Sequence, residues 1–280
     1  MGIVNVTPDS FSDGGALFDP ARAIDAAVQM VADGADLLDV GGESTRPGAE
    51  PLGAVEEMRR VLPVIEGLAA RVRVPISIDT YKPQVAEAAL GAGASLVNDI
   101  SGLRYEPELA KVAAKHRAAL VLMHTRGRSR DMYEHAVYHD VVDEVLDELR
   151  ESVAFATGAG VPPDRIIIDP GLGFAKDAAH TYEALARLDE FSQLGRPILV
   201  GPSRKRFLTK PFDLAQGKPF DSAQGKPRGE TPPAERDWAT AAAVSAAVLG
   251  GAHIVRVHAV REMVQVARVS DEIRKYHRGD

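Results

Sequence analysis

Three short apolar runs in this chain end on a hydrogen-bonding side chain. Ile76-Ser77-Ile78 leads to Asp79, Leu96-Val97 to Asn98, and Ile166-Ile167-Ile168 to Asp169. If the runs are strands of one parallel sheet, two carboxylates and an amide meet at one rim. An ionised carboxylate only accepts hydrogen bonds, whereas an amide both donates and accepts. Such a set suits a heterocycle that presents an amino–imino edge. Taken singly, each Asp could instead cap the helix or turn that follows.

A fourth run carries Arg256-Val257-His258. Residues i and i+2 of a strand share a face, so Arg256 and His258 project to the same side. A cationic pair there suits a phosphate or pyrophosphate, with Arg offering a planar fork of donors. A surface Arg beside a satisfied His would leave the same pattern. Lys205, in Ser203-Arg204-Lys205-Arg206, follows another run, at a position where barrel enzymes often hold anionic groups. A basic cluster alone is more often a solvated surface. Gly171-Leu172-Gly173-Phe174 has the look of a phosphate cradle but lacks the spacing of a Walker loop or a dinucleotide fingerprint. Its glycines would also let backbone and Phe174 approach a flat ligand. His124 could be a ligand, a base or a structural residue. No HExxH or His–carboxylate set suggests zinc.

These residues need strands to position them. Apolar runs at Ile3–Val6, Leu37–Val40, Ile76–Asp79, Leu96–Asp99, Leu120–Met123, Ile166–Asp169, Ile198–Val200 and Ile254–Val257 alternate with amphipathic stretches. The latter lie near 20–33, 52–70, 82–92, 107–116, 140–158, 178–188, 235–250 and 260–275. The runs are β-branched and lack polar alternation, as strands buried on both faces should be. Eight such βα units across the chain predict a single (β/α)8 TIM barrel spanning 1–280. A doubly wound open sheet is the alternative. Polar strand ends spread along the whole chain favour the barrel, because an open sheet would gather them at one crevice.

Two loops that follow strands are long for βα connections, 7–19 (TPDSFSDGGALFD) and 41–51 (GGESTRPGAEP). Their Gly, Pro, Ser and Asp content suits binding loops on the catalytic face. Residues 210–229 differ in kind. KPFDLAQG, KPFDSAQG and KPRG form an eight-residue tandem repeat that fits no solenoid unit, and it reads as a disordered insertion.

Hydrophobic residues make up 45% and charged residues 26%, the balance of a soluble globular protein. The absence of cysteine excludes disulfides, thiolate metal sites and cysteine nucleophiles. A net charge of -7 argues against a nucleic-acid partner, which would need a basic face. No apolar run is long enough to span a bilayer, and the start of the chain lacks the pattern of a signal peptide. A cytoplasmic location with no membrane partner is the expectation.

A family resemblance joins these pieces. Ile3-Val4-Asn5-Val6-Thr7-Pro8-Asp9-Ser10-Phe11-Ser12-Asp13-Gly14-Gly15 and Gly41-Gly42-Glu43-Ser44-Thr45-Arg46-Pro47-Gly48 resemble two loop signatures of dihydropteroate synthases. Ile78-Asp79-Thr80, Asn98-Asp99-Ile100, Met123-His124, Asp169-Pro170-Gly171-Leu172-Gly173-Phe174, Ser203-Arg204-Lys205 and Arg256-Val257-His258 follow in that family's order. The resemblance covers nearly the whole chain outside 210–233. It implies a transferase that joins a pterin pyrophosphate to 4-aminobenzoate, with Mg²⁺ as cofactor and a homodimer as assembly. It further implies that Asp79, Asn98, Asp169 and Lys205 hold the pterin ring, and that Asn5 helps bind Mg²⁺. Asn5, Thr45, Arg256 and His258 would surround the pyrophosphate. Thr45, Arg46, Phe174, Lys205 and the 7–19 loop would shape the 4-aminobenzoate site. Lys205, Asp169, Arg256 and His258 would carry the catalysis.

The chain departs from the family pattern in four places. Ala259 stands where Asp commonly follows the Arg-x-His unit, and Arg206 stands where some members carry Ser. The sequence opens at the first strand, without the short leader usual in the family, and the repeat follows closely on Lys205. Two other readings compete. A folate-dependent methyltransferase barrel has no need of the Ser-Thr-Arg-Pro loop or the Ser-Arg-Lys segment, and both are present. A degenerate, non-catalytic homologue would not be expected to keep Asn5, Asp79, Asn98, Asp169, Lys205, Arg256 and His258 together.

Overall fold

The computed structural model describes residues 1–6, 19–44, 49–209, 220–221, 226–227 and 231–277. Eight strands and eight helices alternate through them. The pairs are β1 Gly2–Asn5 and α1 Pro20–Ala32, β2 Leu38–Gly41 and α2 Ala54–Ala69, β3 Ile76–Asp79 and α3 Pro83–Gly91, and β4 Leu96–Asp99 and α4 Leu109–His116. They continue with β5 Ala119–Met123 and α5 Val141–Gly158, β6 Ile166–Asp169 and α6 Ala178–Ala186, β7 Leu199–Val200 and α7 Asp237–Leu249, and β8 Ile254–Val255 and α8 Val260–His277.

Strands β1 to β6 pair in sequence order, all parallel, and β7 pairs with β8. Two parallel bridges, Ile168 to Ile198 and Gly2 to Val257, join the two sets into a closed ring. The barrel is therefore the correct architecture, and the open sheet is set aside. The ring itself leaves no open strand edge.

The alternation of strand side chains divides the interior into layers. Leu96, Val121 and Leu199 are buried with Ile167 and Ile254 at the lower end of the barrel. Two positions further along three of those strands stand Asn98, Asp169 and Arg256, so a polar layer lies above an apolar plug. The opposite strand face, with Val4, Leu38, Val40, Ile78, Val97, Leu120 and Leu122, packs under the helices. Short side chains at the N-termini fix where helices start. Asp19 caps α1 through the Ala21 amide at 2.9 Å, Asp140 caps α5 through Val142 and Asp143, both at 2.9 Å, and Asp177 caps α6 through His180 at 2.8 Å.

The predicted strands and helices recur within a few residues at either end. One further long connection was not anticipated, the segment between β5 and α5. It folds as a series of turns, braced by Arg126 Nη1 on the Val137 carbonyl at 2.7 Å. The 7–18 and 45–48 segments lie outside the described residues, and with them Thr45 and Arg46. The predicted disorder of 210–229 also falls there, except that Phe220–Asp221 pairs antiparallel with Lys226–Pro227. No helix among the described residues is long and apolar enough to cross a membrane.

Candidate active site

The upper polar layer brings together most of the predicted residues. Asp79 ends β3, Asn98 lies near the end of β4 and Asp169 ends β6. Asn98 is 4% exposed and Asp169 5%, so neither faces bulk water. Burial pushes the Asp79 carboxyl up to about 7, against the pull of Arg256. Burial also raises Asp169, against Lys205 and the Gly171 amide, which donates to Asp169 Oδ1 at 2.7 Å.

At the centre of this layer lies a residue that the sequence reading passed over. Asp39, inside β2, is fully buried. Its Oδ2 accepts from Asn98 Nδ2 at 2.9 Å and from Arg256 Nε at 2.6 Å, while Arg256 Nη2 reaches Asp79 Oδ2 at 2.7 Å. A carboxylate only accepts, so Asp39 fixes the flip of the Asn98 amide and turns its Oδ1 elsewhere. Asp39 Oδ1 is buried and has no hydrogen-bond partner among the described residues. The signal for Asp39 was available in sequence. It is a lone charge in an apolar strand, two positions before Gly41 and so on the same inward face.

Arg256 and His258 are held by different partners. Arg256 is drawn into the acceptor layer by two carboxylates. Burial opposes its charge, yet Asp39 and Asp79 raise its pKa further. His258 instead meets Ser203. The Ser203 Oγ accepts the His258 amide at 3.1 Å and lies 2.9 Å from His258 Nδ1. Both contacts hold the ring against β7, whichever of the hydroxyl and Nδ1 donates.

Lys205 completes the rim. Its Nζ donates to the Leu172 carbonyl at 2.5 Å and stands 4.4 Å from the centroid of the Phe174 ring. Burial brings the ammonium down to about 8, although Asp169 favours its charge. A Cβ built on Gly201 would lie 4.0 Å from this Nζ and 3.7 Å from Arg256 Cβ, so the end of β7 passes close beneath both cations. Asn5 ends β1, and its side chain makes no hydrogen bond among the described residues.

His124 directly follows β5, and its amide donates to the Asp169 carbonyl at 2.9 Å. It is 2% exposed, and burial together with Lys176 depresses its pKa to about 3, so the ring is neutral. It is held between Glu148 and Lys176, the structural alternative of the sequence reading.

The family model described as "Pterin binding enzyme" matches residues 1–258. The dihydropteroate synthase of Synechocystis sp. is 45% identical over 273 residues, covering 98% of this chain and 89% of that protein. The chain belongs to the dihydropteroate synthase family. Among solved structures, a dihydropteroate synthase from Xanthomonas albilineans with 4-aminobenzoic acid superposes with a TM-score of 0.85 at 41% identity, covering 98% of this chain and 92% of that one. Another structure of a dihydropteroate synthase from that organism, in complex with 7,8-dihydropteroate, gives a TM-score of 0.82 at 38% identity with the same coverage. Within this dihydropteroate synthase fold, Asp79, Asn98, Asp169, Lys205 and Arg256 cluster at the C-terminal face of the barrel, where enzymes of this architecture place their chemistry.

Proposed function

We propose that the protein condenses 6-hydroxymethyl-7,8-dihydropterin pyrophosphate with 4-aminobenzoate, giving 7,8-dihydropteroate and pyrophosphate. One observation carries this reading above the rest. Buried Asn98 and Asp169 and half-buried Asp79 converge as an acceptor-rich set, with Lys205 and Arg256 at its edge. Buried acceptors of this kind match the amino–imino edge of a pterin. The ligands named for the Xanthomonas albilineans relatives, 4-aminobenzoic acid and 7,8-dihydropteroate, support the same substrates here.

In this reading the bond between the pterin methylene carbon and the pyrophosphate oxygen breaks first. Arg256, whose Nη1 is not used by Asp39 or Asp79, and His258 take up charge on the departing pyrophosphate. Asp169 and the other acceptors favour the positive charge that develops on the pterin. The arylamine nitrogen then bonds to the methylene carbon and loses a proton. Fixed dipoles and charges supply the rate, and no side-chain nucleophile is needed. Phe174 and Lys205, with Thr45 and Arg46 from the second loop, form the 4-aminobenzoate side.

The donor set fits a magnesium ion that arrives with the pyrophosphate. No group of three His, Asp or Glu side chains among the described residues forms a metal cage. Asn5 offers an uncommitted amide oxygen at the rim, and Mg²⁺ is commonly held by one or two protein oxygens plus phosphates. Bound there, the ion would neutralise charge on the leaving group.

The proposal includes a homodimer in the cytoplasm. Val269, Ile273 and Tyr276 on α8 share one exposed helix stripe, an apolar face for a second copy, and Trp238 on α7 is a further exposed aromatic at 89%. Formation of 7,8-dihydropteroate together with pyrophosphate from the two substrates tests the reaction. Pyrophosphate release in the presence of 4-aminobenzoate with no arylamine joined to the pterin would overturn it. Sedimentation of the purified chain tests the dimer, and a single monomeric species would remove it.

A further inference from the structure

Lys176 is 1% exposed, one of the largest fully buried side chains in the molecule, and the chemistry above makes no use of it. Its Nζ lies 2.8 Å from His124 Nδ1 and donates to the Phe174 carbonyl at 3.2 Å. His124 Nε2 lies 3.0 Å from Glu148 Oε2, and Glu148 is also paired with Arg126 and, at 2.5 Å, with Arg104. Burial works against the Glu148 charge, but these partners hold its carboxyl below the usual range. An ionised Glu148 must accept, so His124 Nε2 donates, Nδ1 accepts, and Lys176 is the donor. The order of the chain Lys176–His124–Glu148 is thus fixed.

The segment that Lys176 holds carries one strained residue. Gly171, Gly173 and Ala175 all have left-handed backbones, with φ of 69°, 76° and 47°, which costs the glycines little but strains Ala175. A Cβ on Gly171 would fall 1.9 Å from the His124 carbonyl oxygen, so this loop lies directly on the end of β5. A residue with a Cβ persists in this conformation only when its surroundings over-determine it. Here four successive carbonyls each accept from a side chain. Leu172 receives Lys205 at 2.5 Å, Gly173 the Tyr133 hydroxyl at 3.2 Å, Phe174 receives Lys176, and Ala175 the Tyr138 hydroxyl at 2.9 Å. Two of these four, Leu172 and Phe174, also position Lys205 through the carbonyl and the ring face.

We propose that Lys176 is a positioning residue that clamps the 171–175 loop to His124 and thereby sets where Lys205 meets the substrates. The proposal rests on the reading of Lys205 as a substrate-binding residue. Lys176→Met keeps the apolar stem and removes the donor. Turnover should fall about tenfold or more, yet the same change in a Lys205→Met background should lower it by less than about threefold, because residues acting through one another are not additive. In substrate-free protein, amide exchange over 171–175 should quicken by about tenfold, as local opening becomes easier. Wild-type turnover and exchange in Lys176→Met would overturn the proposal, as would a full further loss in the double variant. If Lys176→Met does not fold, Tyr138→Phe releases the neighbouring carbonyl. Faster exchange at 171–175 then supports the clamp, and unchanged exchange overturns it. Exchange needs no substrate, so a wild-type chain without synthase turnover would count against the proposed reaction while exchange still decides the clamp.

Discussion

Arg256 Nε donates to Asp39 Oδ2 at 2.6 Å beneath the substrate rim, and the same oxygen holds Asn98. One buried carboxylate therefore orients a cation and an amide that both face the proposed pterin site. Asp39→Asn keeps the volume but brings its own donors into a position that now only accepts. Breaking one partner of a buried pair costs about 3–5 kcal/mol, so a lower melting temperature is expected together with a loss of activity. The effect on the site should appear as a raised KM for the pterin substrate. A variant with wild-type KM and melting temperature would show that Arg256 and Asn98 are held without Asp39.

Lys205→Ala and Asp169→Ala should each reduce kcat/KM by about two orders of magnitude or more, the usual result of removing a positioned charge from an active site. Circular dichroism should be unchanged, because the barrel core lies below this layer. Near-normal kcat/KM in either variant would remove that residue from the mechanism.

The dependence on pH follows from two shifts of opposite sense. Lys205 has its pKa lowered to about 8, so it is charged below that pH and loses the charge as pH rises through it. Asp79 is raised to about 7, so it is an acceptor above that pH and is protonated as pH falls through it. The profile of kcat/KM, which reports the free enzyme, should be a narrow bell between these limbs. Whatever activity Lys205→Arg retains should lack the alkaline limb, because a guanidinium stays charged. An alkaline limb that persists in that variant would belong to another group.

Ala259 immediately precedes α8, and its carbonyl accepts the Met263 amide at 3.1 Å. This is the position of an N-cap. A carboxylate there accepts from exposed amides of the first turn, a change worth about 1 kcal/mol. Ala259→Asp should raise the melting temperature and leave activity unchanged or higher. A clear drop in turnover would mean that the surroundings of His258 have adapted to alanine.

We also propose that the repeat at 210–229 is a dispensable insertion. Its few apolar side chains cannot offset about 1–2 kcal/mol of backbone entropy for each residue ordered. Joining Thr209 to Glu230 should preserve melting temperature and affinity for the pterin substrate, with some change in KM for 4-aminobenzoate. Collapse of the fold on excision, or strong protease resistance of the intact repeat, would show that it packs as a structural element.

The strand ends were legible in sequence because a single polar residue closing an apolar run is a local pattern. Asp79, Asn98 and Asp169 could be placed on one rim by the barrel argument alone. Asp39 was missed because attention to strand ends skips a charge within a strand, although the two-residue period already put it indoors. Lys176 had no such signal. It is a lone lysine before the α6 cap Asp177 with no local mark of burial, and only the fold back onto His124 buries it. The partners of Arg256 come from β2 and β3, 217 and 177 residues away, so no spacing rule could divide it from His258.

Closure of the ring also bears on when the site comes into being. The Val257 amide bonds to the Met1 carbonyl, and the Ile3 amide bonds to the Val257 carbonyl, so the last strand is stitched to the first. Contacts between such distant parts of a chain are slow to form, because the intervening loop must be closed before they repay its entropy. During synthesis β1 has no β8 partner until nearly the whole barrel has left the ribosome. Arg256 and His258 travel on the segment that completes the circle. A nascent chain can thus hold its acceptor layer early and remain unable to grip a pyrophosphate until its final strand docks.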